Sequence, residues 1–318
     1  MNTQKGVIHL LVPIIVIAVL LAIIIFPKIQ KQISSQKNPS ASSVPLVSPS
    51  ATPLKTPAPE VLPTPSPTIK PSTPKPTPNV ITSVPGSGYT RGTVVTEKGS
   101  FTASVLSVDL NSARMVTDTG NDNDCGSACS VFSLMDYVNR NGGFAGVNGT
   151  YFCPAEPAYA SCGAGNNYDF PVWNSRLGHW INGGNLFWND RAIFYTDGSG
   201  AHYLQNANSF SGSLNAGVVN YPGLLDNGQV QIDDNQSGLS DKQKSVGTKV
   251  GIGLKNSKSV IVVVASSVNM QQFAYVFKAL GAQSALNLDT GGSTAMFYNG
   301  KYIFGPGRSI PNAIIFAR

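Results

Sequence analysis

Hydrophobic and polar positions change rhythm along the 318-residue chain. From Val7 to Phe26 the run is apolar, interrupted only by His9 and Pro13. About 20 residues at 1.5 Å rise span a hydrocarbon core about 30 Å thick. A cleaved signal peptide has a shorter apolar stretch and small residues at its cut site, whereas this run ends in bulky residues and Pro27-Lys28. An uncleaved anchor over residues 7–26 is therefore expected. From Pro39 to Pro85 the pattern vanishes, and 14 prolines alternate with Ser and Thr. Such a segment cannot build a core and stays extended, PPII-like.

Ordinary globular patterning begins near Gly86, leaving roughly 230 residues, enough for one sizeable core. Phe101–Leu110 alternates apolar and small polar residues and predicts a strand. Val131, Leu134, Met135 and Val138 fall at helical spacing, closed by Asn141-Gly142-Gly143. Phe144–Phe152 predicts a short strand running into a loop, and Ala192–Thr196, Ala216–Asn220 and Gln229–Ile232 predict further strands. Ser259–Ala265 is apolar and β-branched, the mark of a buried strand. Asn269 caps a helix carrying Phe273, Val276, Phe277 and Leu280 that stops at Gly281. Ala285–Leu288, Tyr302–Phe304 and Ala313–Phe316 complete the strands. The strand–helix–strand unit over 259–288 predicts a mixed α/β sheet, so the expected fold class is α+β. The expected organisation is an anchor at 1–30, a linker at 31–88 and a single domain at 89–318.

Charge sharpens this division. Before Gly86, seven lysines face one acid, Glu60, which gives +6; from Gly86 onward 15 basic and 15 acidic residues cancel. The domain therefore has no electrostatic case for nucleic acid, and the basic tether suits anionic lipid or a cell-wall polymer. Lys28, Lys31 and Lys37 taken alone favour a cytoplasmic C-terminal side. The long Pro/Ser/Thr stalk and the locally paired cysteines favour the outside. The expectation is a single-pass protein of the cell membrane with its C-terminal domain extracellular.

Cys125 and Cys129 bracket three residues, and Cys153 and Cys162 bracket an eight-residue loop. No His lies at zinc-ligand spacing, so no metal site is expected. Four cysteines allow three pairings, and two local disulfides, Cys125–Cys129 and Cys153–Cys162, are the simplest. No cofactor motif is present. The Asp122/Asp124 loop has the acidity of a Ca²⁺ loop, but such loops are usually only solvated.

Four places carry candidate chemistry. In Leu286-Asn287-Leu288-Asp289-Thr290-Gly291-Gly292-Ser293, a strand delivers an Asp into a glycine turn whose N–H groups can bind an anion. The alternative is an Asp that only caps its turn through an Asx bond. In Asn148-Gly149-Thr150-Tyr151-Phe152, an amide stands beside aromatics, as a sugar ring requires. Arg308 sits in a Pro/Gly loop and offers a fork for phosphate. His179 is a possible acid or base, although a lone His beside Trp180 is more often without catalytic work.

These blocks, in this order, resemble the phosphodiester glycosidase family, whose members release a sugar from a phosphodiester. The resemblance rests on Asn148 to Phe152, Tyr221 to Gly228, Lys249 to Gly253, Leu280-Gly281-Ala282, Leu288 to Ser293 and Arg308 to Ala313, and it covers roughly 101–318. Lys249 stands where the family has Arg, Thr290 where it has Gly, and Ala265-Ser266-Ser267 where an Asp-Gly usually follows the apolar strand. The resemblance implies a cell-surface hydrolase acting on a sugar phosphodiester or related envelope glycan. Asp289 would be catalytic; Asn148, Gly149, Tyr151, His179, Lys249, Gly291, Gly292, Ser293 and Arg308 would bind substrate. Two rivals remain at this level. One is a non-catalytic glycan-binding module on a stalk. The other is an aspartic protease, because Asp118-Thr119-Gly120 and Asp289-Thr290-Gly291 repeat one motif.

Overall fold

A computed structural model describes residues 79–156, 165–186, 191–236 and 238–318. The expected anchor and most of the stalk lie outside the described residues; among those described, no helix is long and apolar enough to cross a membrane. The chain enters along its first strand. Thr93 donates to Asn79 O at 2.7 Å and Ile81 to Thr93 O at 2.8 Å, so residues 79–81 already pair with the domain.

The architecture is mostly β-sheet. The largest sheet has the order β1 (Gly88–Thr96), β2 (Gly99–Asp109), β15 (Ser259–Val268), β14 (Gly247–Asn256), β16 (Ser284–Asn287), β12 (Gly223–Asp226), β13 (Gln229–Val230). A five-stranded sheet runs β18 (Lys301–Phe304), β17 (Met296–Tyr298), β4 (Gly143–Asn148), β19 (Asn312–Ala317), β3 (Arg114–Thr119). A second five-stranded sheet runs β10 (Ala201–Leu204), β9 (Ala192–Thr196), β11 (Ala216–Asn220), β7 (Val172–Asn174), β8 (His179–Ile181). The short strands β5 (Phe152–Cys153) and β6 (Asn167–Tyr168) pair with each other. The α-helices among the described residues are α1 (Leu134–Arg140), α2 (Asp241–Lys244) and α3 (Met270–Ala279).

Strand β15 shows why the run at 259–265 is continuously apolar. Ile261, Val263 and Ala265 pack with Phe273 and Phe277 of α3 on one face. Val260, Val262 and Val264 join Val147, Phe194 and Ile314 from the two smaller sheets on the other. Period-2 alternation is lost because both faces are dry. Asn269 caps α3 as predicted: its side chain accepts from Gln272 N–H at 2.8 Å, and the Gln272 side chain accepts from Asn269 N–H at 2.9 Å. Gly251 and Gly253 of β14 lie beneath the phenyl rings of α3, where a Cβ would press on Phe277.

Two expectations shift. The mostly-β architecture with few helices is consistent with the expected α+β class, but the two strands of the 259–288 unit are not neighbours, because β14 inserts between β15 and β16 and pairs antiparallel with both. Helix α1 starts at Leu134 behind the Ser133 cap rather than at Val131, because Phe132 pairs with Ile310 in an isolated bridge.

Candidate active site

Four strand ends that meet here carry asparagine: β4 ends at Asn148, β11 at Asn220 and β16 at Asn287, while β19 starts at Asn312. All four side chains are buried. Where a chain leaves its ladder, backbone N–H and C=O groups lose their partners, and a buried amide can satisfy both kinds. Asn148 donates to Asp289 O at 2.7 Å and accepts from Ala295 N–H at 3.0 Å. Asn220 accepts from Tyr151 N–H at 3.1 Å and donates to Asn287 O at 2.7 Å. Asn312 accepts from Thr150 N–H at 2.9 Å, and Asn287 donates to the Tyr151 hydroxyl at 2.8 Å. Segments 148–151 and 287–289 are thereby clamped together, with Asp289 N–H donating to Gly149 O at 2.9 Å.

The clamp opens onto a cavity of about 700 Å³ whose wall includes Tyr151, Asp169, Phe170, Lys249, Asp289 and Arg308. Asp289 is 7 % exposed. Burial, with the nearby Asp169 charge as a smaller contribution, pushes its carboxyl up to about 7, while the Ser293 hydroxyl and the Arg308 charge act the other way. Gly291 adopts φ +77 and lets the chain turn tightly after the acid. Arg308 docks on that turn, its N–H donating to Gly292 O at 2.9 Å and its Nη1 to Glu156 O at 3.1 Å. Its guanidinium occupies the space where a Gly292 Cβ would lie. Lys249 is 3 % exposed, and burial lowers its pKa. Its Nζ donates to Lys242 O at 3.0 Å, and no carboxylate among the described residues lies within ion-pair distance of it. Tyr151 is pushed up to about 12, mainly by burial.

The structure thus brings Tyr151, Lys249, Asp289, Gly291, Gly292 and Arg308 to one wall. Ser293 stands behind them, acting on Asp289. Asn148 and Gly149 do not line the cavity: Asn148 is spent on backbone groups, and Gly149 leaves no room for a side chain against Asn312. Their hydrogen bonds brace the Asp289 backbone. His179 is also outside, exposed on β8, with its Nε2 3.0 Å from Asp122 O. Asp118 is a buried partner of Arg140 at 2.7 Å and Asn141 at 2.6 Å, and it does not share the Asp289 cavity. The two Asp-Thr-Gly copies therefore do not form the paired-carboxylate geometry of an aspartic protease. Asp122 pairs with Arg176, and Asp124 accepts from Asn182 N–H at 2.6 Å. Cys125 and Cys129 form the expected disulfide. Cys153 is also disulfide-bonded, while Cys162 lies outside the described residues.

Sequence reasoning missed Asp169. Its only signal was a carboxylate set among aromatics in Tyr168-Asp169-Phe170. It also missed the segment around α2, which adds Ser240, Lys242, Gln243 and Ser245 to the wall.

A profile of the phosphodiester glycosidase family matches residues 141–317, more than half of the chain. The chain belongs to the phosphodiester glycosidase family. Among solved structures, it is similar to the zebrafish N-acetylglucosamine-1-phosphodiester alpha-N-acetylglucosaminidase catalytic domain, auto-inhibited by its pro-peptide. That match has TM-score 0.57 and 16 % identity, and it covers 74 % of this chain and 84 % of that one. A hypothetical protein from Synechocystis matches with TM-score 0.49 and 13 % identity over 72 % of this chain. The chain spans 62 % of that protein, less than two thirds of its length. A sequence search of curated proteins finds no match.

For a phosphodiester glycosidase, the three departures fall in different places. Lys249 keeps a cation on the cavity wall. Thr290 adds a side chain that interacts with the Tyr151 hydroxyl, which glycine could not do. Ser267 takes φ +59, a conformation suited to glycine, and the 265–267 stretch is not part of the wall.

Proposed function

We propose that this domain hydrolyses a sugar-1-phosphodiester or a related envelope glycan, with Asp289 as its acid. The observation that carries this reading is the charge arrangement of the cavity. Lys249 and Arg308, neither with a carboxylate ion pair among the described residues, share one wall with Asp289 and Asp169. Burial disfavours the Lys249 ammonium, the Asp234 charge opposes this only in part, and a bound phosphate would add counter-charge. Tyr151 and Phe170, with ring centroids 6.5 Å apart, offer apolar surface to a sugar ring.

In this mechanism Lys249 and Arg308 hold the phosphate. Asp289 retains its proton up to about pH 7 and donates it to the ester oxygen as the bond to the anomeric carbon breaks. Asn148 and Gly149 hold the Asp289 backbone in place. The cations also stabilise the charge that develops on the departing phosphate.

The test is to assay the purified full chain on sugar-1-phosphodiesters beside Asp289→Asn. A loss of about 10²–10³ in kcat is expected. Equal turnover would remove Asp289 from the mechanism, and glycan binding without turnover by either protein would favour a binding module. We further propose that residues 7–26 anchor the chain and that the stalk carries the domain outside the cell, near wall polymer. Protease added to intact cells should then release the domain; protection until lysis would reverse the orientation.

A further inference from the structure

Asp169 is held by its neighbours. Tyr168 is buried, and its hydroxyl donates to Pro311 O at 2.7 Å. Phe170 is buried in a cluster with Leu186 and Ile193. Asp169 N–H donates to Tyr151 O at 3.3 Å, tying this segment to the clamp. With both flanking rings packed into protein, the carboxylate between them is left on the cavity wall. No hydrogen bond or ion pair to a described residue engages it, and burial alone raises its pKa. A half-buried carboxylate on the cavity wall, without a donor among the described residues, is open to a ligand. It is an acceptor waiting for a proton or a hydroxyl.

We propose that Asp169 is the general base of the hydrolysis, taking a proton from the water that attacks the anomeric carbon. This rests on the phosphodiester glycosidase reading above. The water oxygen bonds to the anomeric carbon, and the carbon–oxygen bond to the phosphate breaks, its electron pair staying on the phosphate oxygen. One water proton passes to Asp169, and the Asp289 proton passes to the ester oxygen. Exchange with solvent then restores both carboxyls. The assignment follows the environments: the more deeply buried Asp289 keeps its proton, and the less buried Asp169 ionises first. The other titratable side chains on the wall are Tyr151, Tyr221, Lys242, Lys249 and Arg308, and none is a carboxylate able to take this role.

The experiment uses the full chain, Asp169→Ala and Asp169→Asn, with sodium azide as an external nucleophile. Azide has no proton to lose, so it bypasses a missing base. Each variant is expected to lose about 10²–10³ in kcat on a sugar-1-phosphodiester while keeping its melting temperature. In Asp169→Ala, azide should restore turnover at least tenfold and give a glycosyl azide, identified by mass spectrometry. Asp289→Asn should gain nothing from azide on this substrate, yet turn over a glycosyl fluoride, whose leaving group needs less acid help. An active wild type with Asp169 variants equally active, or impaired but not restored by azide, overturns the base assignment alone. A wild type inert on every sugar phosphodiester overturns the reading on which it rests.

Discussion

The side-chain amide of Asn148 donates to the backbone carbonyl of Asp289 at 2.7 Å, joining residues 141 positions apart in the chain. The same amide accepts from Ala295 N–H at 3.0 Å, so it pins both the acid and the chain that follows the glycine turn. Asn148→Ala leaves a buried carbonyl and a buried N–H without partners. A cost of about 2 kcal/mol is expected, with kcat falling more than KM rises. Thermal melting and steady-state kinetics check it; an unchanged kcat would mean that Asp289 does not depend on this brace.

Protonation of Asp289 links stability to pH. Its folded carboxyl titrates at about 7, above the unfolded value near 4, so the folded state holds the extra proton between them. The contribution is full below pH 4 and is lost as pH rises through 7. Asp289→Asn carries no charge to bury. Its melting temperature should match that of wild type at pH 4 and exceed it by roughly 5 °C or more at pH 8. The same titration should lower wild-type kcat/KM above pH 7.

A methyl group at Gly292 would meet the Arg308 guanidinium, the movable end of a long side chain. Gly292→Ala should therefore displace the fork without unfolding the turn. KM is expected to rise about tenfold, with the melting temperature nearly unchanged, because one charge-assisted contact to phosphate is worth roughly 1.5–3 kcal/mol. A large fall in melting temperature would show that the turn itself had yielded.

Asp118 provides the opposite control. Its carboxylate accepts from Arg140 Nε at 2.8 Å and Asn141 at 2.6 Å, fastening the end of α1 to β3. Asp118→Ala should cost about 3 kcal/mol, since it removes one partner of a buried pair. The folded variant should retain wild-type kcat, as should His179→Ala. Loss of catalysis by folded Asp118→Ala would reopen the two-aspartate reading.

The Cys125–Cys129 bridge closes a loop that Asn182 also ties, accepting from Cys125 N–H at 3.0 Å. Replacing both cysteines with serine should cost about 2 kcal/mol or less, because the closed loop is short. Chemical denaturation measures it. Activity should be unaffected, since neither cysteine lies on the cavity wall.

Burial leaves a local mark: a helix shows an apolar stripe, and a strand buried on both faces shows a short continuous apolar run. That is why β9 and β11 are legible to the residue and why α3 can be read from its Asn269 cap and its Phe273 and Phe277 stripe. The glycine turn after Asp289 was legible for the same local reason: the strand, the acid and the turn are contiguous. The short strands β7 and β8 were not, because two or three residues cannot display a period.

What chain order could establish was therefore the elements, the acid on its turn and the family, all carried by neighbouring residues. Partnership between distant residues was settled only by folding. Asn148 reads as a sugar ligand beside Tyr151, yet the strand ends convert it into a backbone brace. Lys249 reads as the counterpart of a family arginine, yet only the sheet shows it buried with no carboxylate among the described residues within ion-pair distance. Asp169 carries almost no local signal, yet the packing of Tyr168 and Phe170 leaves its carboxylate on the wall it shares with Asp289. Hydrophobic periodicity records how deep a side chain goes; which polar groups meet there depends on contacts between segments more than 100 residues apart, and no local pattern encodes them.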